Sequence, residues 1–407
     1  MSKNLLILLI LSISIYANSN IIYLTKKGNS TNDQIKINRA LEKISNNNSY
    51  DTLYLKGPAT YVIDEPIIIP SNVKLTGDKS VTLKLKDNLN WAKLKPMIGQ
   101  KKAKKWTPFG TKGDSISNVE IYGFSISAGE QNAPEGSTYY PLIHFYNPKN
   151  ISIHDMNLTN SKWDIIRLSY YDNYNRPNIN VKIYNNYISH SGHEGIYVSN
   201  SKNFEIYNNK ILHTRTNCGI RLEYTDNFKI YNNIIKNSLN KPPSGYAGIC
   251  VNNRYAPILK AEIFNNEIKG KNGGIVLDGE DGKYKKGTRG GVYIHNNKLY
   301  NITAIKVGDK ELSGAIRING FDKTVIENNT IKDSQADGII YEGSNNKGNN
   351  YTTIVRYNTI INSKRCGINN SDKSKHFHKF ILQNNKIYGN KINYCNILQT
   401  NKQDYSK

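Results

Sequence analysis

The sequence predicts an all-β fold, a right-handed parallel β-helix (a solenoid of stacked coils) with a short N-terminal capping helix. The first observation is a repeated phrase built around an Asn-Asn pair, as in NVKIYNNYIS from Asn180 and NFEIYNNKIL from Asn203. The second is that apolar and polar residues alternate with period two around each pair, which indicates strands rather than helices. The third is a Gly-Ile motif that follows the pairs at a variable distance. Repeats of roughly 20–50 residues are typical of solenoids.

Each coil is expected to contain three strands. One precedes the Asn pair, one follows it, and the third lies at the Gly-Ile motif. Asn tolerates left-handed backbone and closes turns, so the pair is expected at a corner. Stacked coils would then bring the Asn amides together as ladders. The second position of the pair falls at 186, 209, 233, 266, 297, 329, 358 and 385. The Gly-Ile motifs read EGIYV, CGIRL, AGICV, GGIVL, GAIRI, DGIIY and CGIN, beginning at Glu194, Cys218, Ala247, Gly273, Gly314, Asp337 and Cys366.

The N-terminal part divides into a signal peptide and a cap. Residues 1–17 combine Lys3, an apolar run and Ala17 at a plausible cleavage point, which is typical of a secretory signal peptide. An uncleaved N-terminal anchor is the alternative. Residues 18–50 are expected to form the cap, because 30–44 has polar residues followed by helical apolar spacing, and a solenoid must cover its terminal coil. The β-helix is expected over 51–397, followed by a polar tail over 398–407.

The charge balance predicts an anionic partner. The 407 residues include 55 basic and 32 acidic side chains, a formal net charge of +23. A field this positive attracts anionic polymers, and an exported protein meets acidic polysaccharide more often than nucleic acid. We therefore expect a secreted or cell-surface monomer with an acidic polysaccharide as partner and no membrane contact after signal cleavage. The alternative is that the charge serves solubility and reflects an Asn- and Lys-rich composition.

Reading down equivalent positions of successive coils predicts a site. Neighbouring coils are about 4.8 Å apart, so Arg167, Tyr197 and Arg221 are expected to stack in one column, followed by Cys250 and Val276. Two flanking guanidiniums are expected to lower the pKa of the tyrosine, and arginines can hold a carboxylate. A solvated cation–π ladder is the alternative.

Further reactive residues gather around this column. The predicted catalytic residues are Tyr197 or His193 as base, His190 assisting, and Arg167 and Arg221 neutralising a carboxylate. The predicted substrate-binding residues are Asp164, Glu194, Arg215, Asn217, Glu223, Asn252 and Arg254, with Arg215 a second candidate for assisting the base.

Two other chemistries and a cation site remain open. Asp164 and Glu194 could serve glycoside hydrolysis as carboxylates on neighbouring coils. His190, His193 and Glu194 match no standard zinc motif, so no metal ligands are assigned. The chemistry requires no cofactor. Calcium is conceivable at the turn LDGEDG, which carries Asp278, Glu280 and Asp281.

The four cysteines are too few for a disulfide scaffold. Aligning YCNI at Tyr394 with RCGI at Arg365 places Cys366 and Cys395 one coil apart, so these two are expected to pair. Cys218 and Cys250 fall in different columns and are expected not to pair.

The Asn-rich coils resemble the right-handed parallel β-helix, or pectate-lyase-like, superfamily over about residues 50–395. A narrower resemblance is to the disaggregatase-related proteins of methanogenic archaea. The segments that carry it are SNVKLTGDKSVTLKLKDNLNW, PMIGQ, YYPLIHF, GHEGIYV, RTNCGIRLE and the IYNN repeats. This resemblance implies a secreted protein that acts on uronic-acid-containing matrix polysaccharide. The arginines and the candidate bases described above are the groups that β-elimination needs, so the expected activity is degradation of an acidic polysaccharide by β-elimination. A glycoside hydrolase and a non-catalytic glycan-binding surface protein are the alternatives.

Overall fold

The computed structural model describes most of the chain between residues 20 and 405. The residues outside the description are 1–19, 48, 102–105, 109–113, 171–177, 238–245, 254–259, 280–289, 304–305, 308–309, 312–313, 343–350, 372–377, 398–401 and 406–407. The predicted signal peptide lies entirely outside the described residues. No helix in the described ranges is long and apolar enough to cross a membrane.

The described elements are one helix and a long series of short strands. The helix is α1, Gln34–Ser45. The strands are β1 Ile21–Thr25, β2 Thr52–Lys56, β3 Ala59–Ile63, β4 Ile67–Ile69, β5 Val73–Gly77, β6 Val81–Leu85, β7 Ile98–Gln100, β8 Ile116–Tyr122, β9 Ser125–Ser127, β10 Ile143–Tyr146, β11 Pro148–His154, β12 Asn157–Ser161, β13 Ile166–Ser169, β14 Asn178–Tyr184, β15 Tyr187–Ser191, β16 Ile196–Ser199, β17 Lys202–Tyr207, β18 Lys210–Thr214, β19 Ile220–Glu223, β20 Asp226–Tyr231, β21 Ile234–Lys236, β22 Ile249–Asn252, β23 Ala261–Phe264, β24 Glu267–Lys269, β25 Ile275–Asp278, β26 Val292–His295, β27 Lys298–Tyr300, β28 Lys306–Val307, β29 Lys310–Glu311, β30 Gly314–Asn319, β31 Thr324–Glu327, β32 Thr330–Lys332, β33 Asp337–Glu342, β34 Thr352–Arg356, β35 Thr359–Ile361, β36 Cys366–Asn370, β37 Lys379–Tyr388, β38 Ile392–Cys395 and β39 Lys402–Tyr405.

The strands stack in parallel into the predicted right-handed β-helix. Strands that precede and follow the Asn corners form one continuous sheet of 25 strands, and the Gly-Ile strands form a second sheet of 12 strands, from β4 to β38. One small hairpin, β28 with β29, is antiparallel. The all-β class and the three-stranded coil are confirmed.

Asparagine ladders hold the corners as the sequence predicts. The first Asn of a pair adopts a positive φ, 55° at Asn185 and 54° at Asn208. The second is buried, and its amide nitrogen donates to the next amide along the axis, with Asn186 to Asn209 at 2.9 Å and Asn209 to Asn233 at 3.0 Å. The ladder continues at 2.9–3.0 Å through five further steps to residue 385. Buried amides that are fully paired stabilise a unique stacking of the coils.

The capping helix is confirmed. It begins at Gln34, directly after the polar residues of the predicted segment, and Ile37, Leu41 and Ile44 are buried against the first coils. Ile35 lies on the opposite side and is 43% exposed. At the other end of the chain, β39 pairs in parallel with β37, so part of the predicted polar tail continues the sheet.

Two neighbouring columns of the 12-stranded sheet converge, and this explains both disulfides. One column holds the residue before each Gly-Ile motif (the glutamate column, which includes Asp164, Glu194, Cys218, Asp337 and Cys366). The other holds the residue after the Ile (the tyrosine column, which includes Arg167, Tyr197, Arg221, Cys250, Asn369 and Cys395). Between neighbouring coils, Glu194 approaches Arg221 and Asp337 approaches Asn369. Cys218 bonds to Cys250 and Cys366 bonds to Cys395, with Cα atoms 6.2 and 6.0 Å apart.

Because the two columns converge, one cysteine prediction is wrong, and the other is confirmed with a different register. Cys218 and Cys250 do lie in different columns, but the expectation that they would not pair is wrong because the two columns meet across neighbouring coils. Cys366 and Cys395 pair as expected, although by this same diagonal, since Cys366 is in register with Ile392 and Cys395 with Asn369. The intervening glycine permits the close packing: a Cβ on Gly219 would lie 2.6 Å from Cγ2 of Ile235.

Candidate functional site

The predicted tyrosine column exists. Arg167 is in register with Tyr197, and Tyr197 with Arg221, followed by Cys250 and Val276. The guanidinium carbon of Arg167 lies 3.7 Å from the ring centroid of Tyr197. The three side chains therefore share one face of the 12-stranded sheet.

Tyr197 does not have the acidity that the sequence suggested. Burial, the largest effect, raises the pKa of Tyr197 well above 10, and the positive charge of Arg167 does not offset it. The hydroxyl is committed as well, because it donates to Oε2 of Glu223 at 2.6 Å. The prediction of a lowered pKa is wrong because the phenol is buried, at 3% exposure, rather than solvated between two cations.

Asp164 is the buried anchor of the site. Its Oδ1 accepts from Nδ1 of His193 at 2.8 Å and from the backbone N–H of Glu194 at 3.1 Å, and its Oδ2 accepts from Arg167 at 2.8 Å. Burial opposes ionisation, but the hydrogen bond to His193 and the charge of Arg167 hold the pKa of Asp164 below its usual range. Asp164 is therefore an anion that orients a histidine.

His193 lies between its neighbours on the adjacent coils. Its ring stacks on Trp163 with centroids 6.1 Å apart, and its Nε2 is 3.1 Å from the amide nitrogen of Asn217. With Nδ1–H donated to Asp164, the neutral ring carries its electron pair on Nε2, which accepts from the Asn217 amide. Burial alone lowers the pKa of His193, but the hydrogen bond to Asp164 and the charge of Glu194 outweigh it, and the pKa is raised. The side chain is 28% exposed.

Glu194 is fully buried beside this pair. Its Oε1 accepts from the Asn217 amide at 2.8 Å, and its Oε2 accepts from the backbone N–H of Cys218 at 3.0 Å. Burial is the main cause that raises the pKa of Glu194 to about 7, and the charges of His193 and Arg221 act against it. Glu194 therefore titrates near neutral pH without direct contact with solvent.

Arg221 provides the accessible cation of the site. Its guanidinium binds Glu223 at 2.6 Å and lies 3.6 Å from Oε1 of Glu194, and its side chain remains 25% exposed. Arg167, by contrast, is 4% exposed and donates to the carbonyl of Pro108 as well as to Asp164. Of the two arginines, Arg221 is the one that can reach a carboxylate in solution.

The remaining predicted site residues lie outside this cluster or outside the described residues. His190 is the penultimate residue of β15 in the other sheet, where it faces His213 at 5.0 Å between ring centroids. Arg215 is exposed and pairs with Glu135. Asn252 follows Glu223 in register one coil further along. Arg254, and Glu280 and Asp281 of the conceivable calcium turn, lie outside the described residues.

One group in the described part of the chain could hold a metal ion. Ligand atoms of Asp164, His193 and Glu194 all lie within 4.8 Å of one another. Both carboxylates already accept hydrogen bonds, and Asp164 also pairs with Arg167. This arrangement favours proton transfer over metal binding.

The sequence reasoning missed two residues of the site. Trp163 occupies the position of His193 on the preceding coil, and the alignment of WDIIRL with HEGIYV would have placed it there. Lys271 is fully buried and donates to Thr214 and to the carbonyl of Asn217, beneath the turn that presents the Asn217 amide. Burial lowers the pKa of Lys271 to about 7. A lysine in an otherwise ordinary corner gave no signal.

A comparison with Asp337 shows which hydrogen bonds of Asp164 and Glu194 are common to the corners of the β-helix. It occupies the glutamate column further along the axis, and its Oδ1 accepts from the backbone N–H of Cys366 at 2.9 Å. Asp164 and Glu194 make the same bond to the next coil, so their burial serves the corner. The candidate site differs from the Asp337 corner by the presence of His193, Asn217 and Arg221 around the buried carboxylates.

Comparisons with known proteins confirm the fold and both resemblances. Residues 111–286, which include this site, match the family model of the right handed beta helix region, and residues 258–404 match the model described as disaggregatase related. A search of curated proteins by sequence gives no match.

Several solved structures share the architecture. The A-module of the mannuronan C-5 epimerase AlgE6 of Azotobacter vinelandii is 16% identical, covers 92% of this chain and 95% of its own, and has a TM-score of 0.62. The catalytic unit of the GH87 alpha-1,3-glucanase of Streptomyces thermodiastaticus is 15% identical over 94% of this chain and 65% of its own, with a TM-score of 0.61. The tailspike protein of Escherichia coli bacteriophage HK620, bound to a hexasaccharide, is 14% identical over 91% and 64%, with a TM-score of 0.63. At these identities the likeness concerns the fold.

Proposed function

We propose that the protein is a carbohydrate-active enzyme that degrades an acidic, uronic-acid-containing polysaccharide by β-elimination. The observation that carries the proposal is the Asp164–His193–Asn217 arrangement with Arg221 beside it. An anchored imidazole next to an accessible guanidinium supplies a base together with a group that neutralises a carboxylate. The similar epimerase, glucanase and tailspike structures support a carbohydrate as the substrate class.

In this mechanism Arg221 binds the C6 carboxylate of a uronate residue, which makes the neighbouring C5 proton more acidic. The substrate displaces the Asn217 amide from Nε2 of His193, and Nε2 then takes that proton. Asp164 stabilises the imidazolium that forms. The C5 electron pair forms the C4–C5 double bond as the bond from C4 to the glycosidic oxygen breaks. The imidazolium is the nearest proton source for the departing oxygen. His193 replaces Tyr197 as the base, because the phenol is buried and bonded to Glu223.

The hydrolase alternative has less support from the site. Asp164 and Glu194 are both fully buried, and each is held by backbone and side-chain donors. A glycosidic hydrolase pair has to reach the scissile bond from the two sides of the sugar. These carboxylates serve the corner of the coil instead.

The proposal includes a location outside the cell. Two disulfides within the described residues support it, because disulfides persist mainly in exported proteins. The formal charge of +23 supports an anionic polymer as the partner.

Incubation of the purified protein with polyuronates tests the proposal. New unsaturated ends, detected by their ultraviolet absorbance, are the expected result. Three outcomes would overturn β-elimination: new reducing ends without absorbance indicate a hydrolase, inverted uronate residues without cleavage indicate an epimerase, and binding without chemical change indicates a glycan-binding surface protein.

A further inference from the structure

We infer that a cleft three coils N-terminal of His193 is a second subsite, which binds the carboxylate of another uronate residue of the same polysaccharide chain. The cleft has a volume of about 440 Å³ and includes Glu65, Lys95, Gln100, Lys101 and Trp106 in its lining. The inference rests on the proposed function for the class of ligand, and on the geometry of the cleft for its place.

Gln100 supplies a buried donor without a partner. Its Oε1 accepts from the backbone N–H of Tyr146 at 2.8 Å, which fixes the amide orientation because the reversed amide would oppose two donors. Its Nε2 is buried and has no hydrogen-bond partner among the residues described, and the whole residue is 2% exposed. A buried unpaired donor is unfavourable, and an oxygen of a ligand that moves the side chains over Nε2 aside would satisfy it.

Two lysines give the cleft its charge. Lys101 is exposed, and within the described part of the chain it has no ion pair. Lys95 is held at the cleft by Glu65, with Nζ 2.7 Å from the carboxylate, and by the ring of Trp91 at 4.6 Å. One acidic side chain against two basic ones leaves a net positive charge for a carboxylate ligand.

Trp106 forms an aromatic wall. It packs across β7, where Gly99 has no side chain, and a Cβ at that position would lie 2.4 Å from Cη2 of the indole. His144 and Tyr146 support the indole from the neighbouring coil, at 6.2 and 5.6 Å between centroids. Aromatic walls with a few placed polar groups are typical of small-molecule and sugar sites.

The cleft and the His193 site lie on the same sheet. The register runs from Gly99 to His144, then to Arg167 and Tyr197, which is three steps along the axis. At one coil per step the separation is about 14 Å. A single sugar cannot span this distance, so the subsite contributes only to the binding of an oligosaccharide.

Titration calorimetry with oligogalacturonates and oligomannuronates tests the inference, with a uronate disaccharide and a neutral oligosaccharide of equal length as references. The variants are Lys101→Ala and Gln100→Glu. The glutamate keeps the oxygen that accepts from Tyr146 but replaces the free donor with a negative group. Lys229→Ala, an exposed lysine on β20 of the other sheet, is the matched control. Thermal unfolding confirms that each variant is folded.

The wild type is expected to bind the long uronates more tightly than the disaccharide and the neutral oligomer. Each cleft variant is expected to lose about tenfold in affinity for the long uronates, equivalent to about 1.4 kcal/mol, while the control binds as the wild type does. Equal losses in Lys101→Ala and Lys229→Ala, or unchanged affinity in Gln100→Glu, would overturn the subsite.

The two proposals can fail separately. If the cleft variants weaken binding but no uronate polymer is altered, the subsite stands and the chemistry at His193 fails. If polymers are cleaved and the cleft variants bind normally, the chemistry stands and the subsite fails.

Discussion

Asp164→Asn is the most informative perturbation of the site. The carboxylate accepts from His193, from the backbone of Glu194 and from Arg167. An asparagine has one oxygen for these donors and turns its own N–H₂ towards one of them. The substitution therefore changes the charge that stabilises the imidazolium and leaves the volume of the side chain nearly the same.

The structure allows the magnitudes to be estimated. Asp164 is fully buried and Arg167 is 4% exposed, so leaving the arginine without its anion should lower the free energy of unfolding by about 3–5 kcal/mol. The pKa of His193 should fall, because the hydrogen bond that raises it is lost. Turnover of uronate polymer should fall by roughly a hundred- to ten-thousand-fold, the usual contribution of a positioned base.

Asp337→Asn is the matched control. Asp337 makes the same backbone bond to the next coil and also accepts from Asn369 at 3.0 Å, but its arginine neighbour, Arg365, is 3.7 Å away and 36% exposed. We expect a loss of about 1–3 kcal/mol of unfolding free energy, with unchanged turnover and an unchanged pKa of His193. Urea unfolding, histidine NMR titration and polymer turnover measure the three quantities.

Equal turnover in the two variants would refute the reasoning, since it would mean that the aspartate acts only through the fold. An Asp164→Asn protein in which the His193 titration is unchanged would refute it independently of activity, because the hydrogen bond between His193 and Asp164 would then have no effect on the imidazole.

Three further predictions follow from the site. Tyr197→Phe should retain turnover within about tenfold of the wild type, because the phenol is bonded to Glu223 and is not the base; a loss comparable to that of Asp164→Asn would contradict this. The rate should rise as the pH rises through the pKa of His193, which lies above its usual value of about 6.5, because only the neutral ring can accept a proton. Protonation of His193 should stabilise the fold, fully below about pH 6.5, and this stabilisation should be lost as the pH rises through the raised pKa. Replacing Cys218 and Cys250 by alanine should lower the free energy of unfolding by about 3–4 kcal/mol, as expected for a disulfide that closes a loop of 32 residues, and denaturant unfolding with and without reductant would measure it.

The coil architecture could be predicted because it repeats. Each Asn corner and each Gly-Ile strand presents the same pattern again, so one coil informs the next, and the register of Arg167, Tyr197 and Arg221 followed directly. The approach of the glutamate column to the tyrosine column could not be predicted in this way. It depends on how sharply the chain bends around residues such as Gly219, and an alignment of the repeats gives the register of the residues but not this bend.

The chemistry of the site depended on burial, which the alignment did not give. Tyr197 was placed correctly but was expected to be solvated, whereas it is covered and bonded to Glu223. The hydrogen bond between His193 and Asp164 joins two neighbouring coils, although the residues are 29 positions apart in the sequence. It arises from the geometry of the corner. Lys271 was missed because the residues it contacts lie 54 and 57 positions away.

Exchange of the C5 proton tests the central claim most directly. Uronate polymer would be incubated in D₂O with the wild type and with His193→Gln, and the C5 position and the products would be followed by NMR. The account predicts C5 chemistry with the wild type, seen as deuterium at C5 or as the unsaturated product, and its loss with His193→Gln. A His193→Gln protein that is folded and acts on C5 at the wild-type rate would contradict the assignment of this histidine as the base.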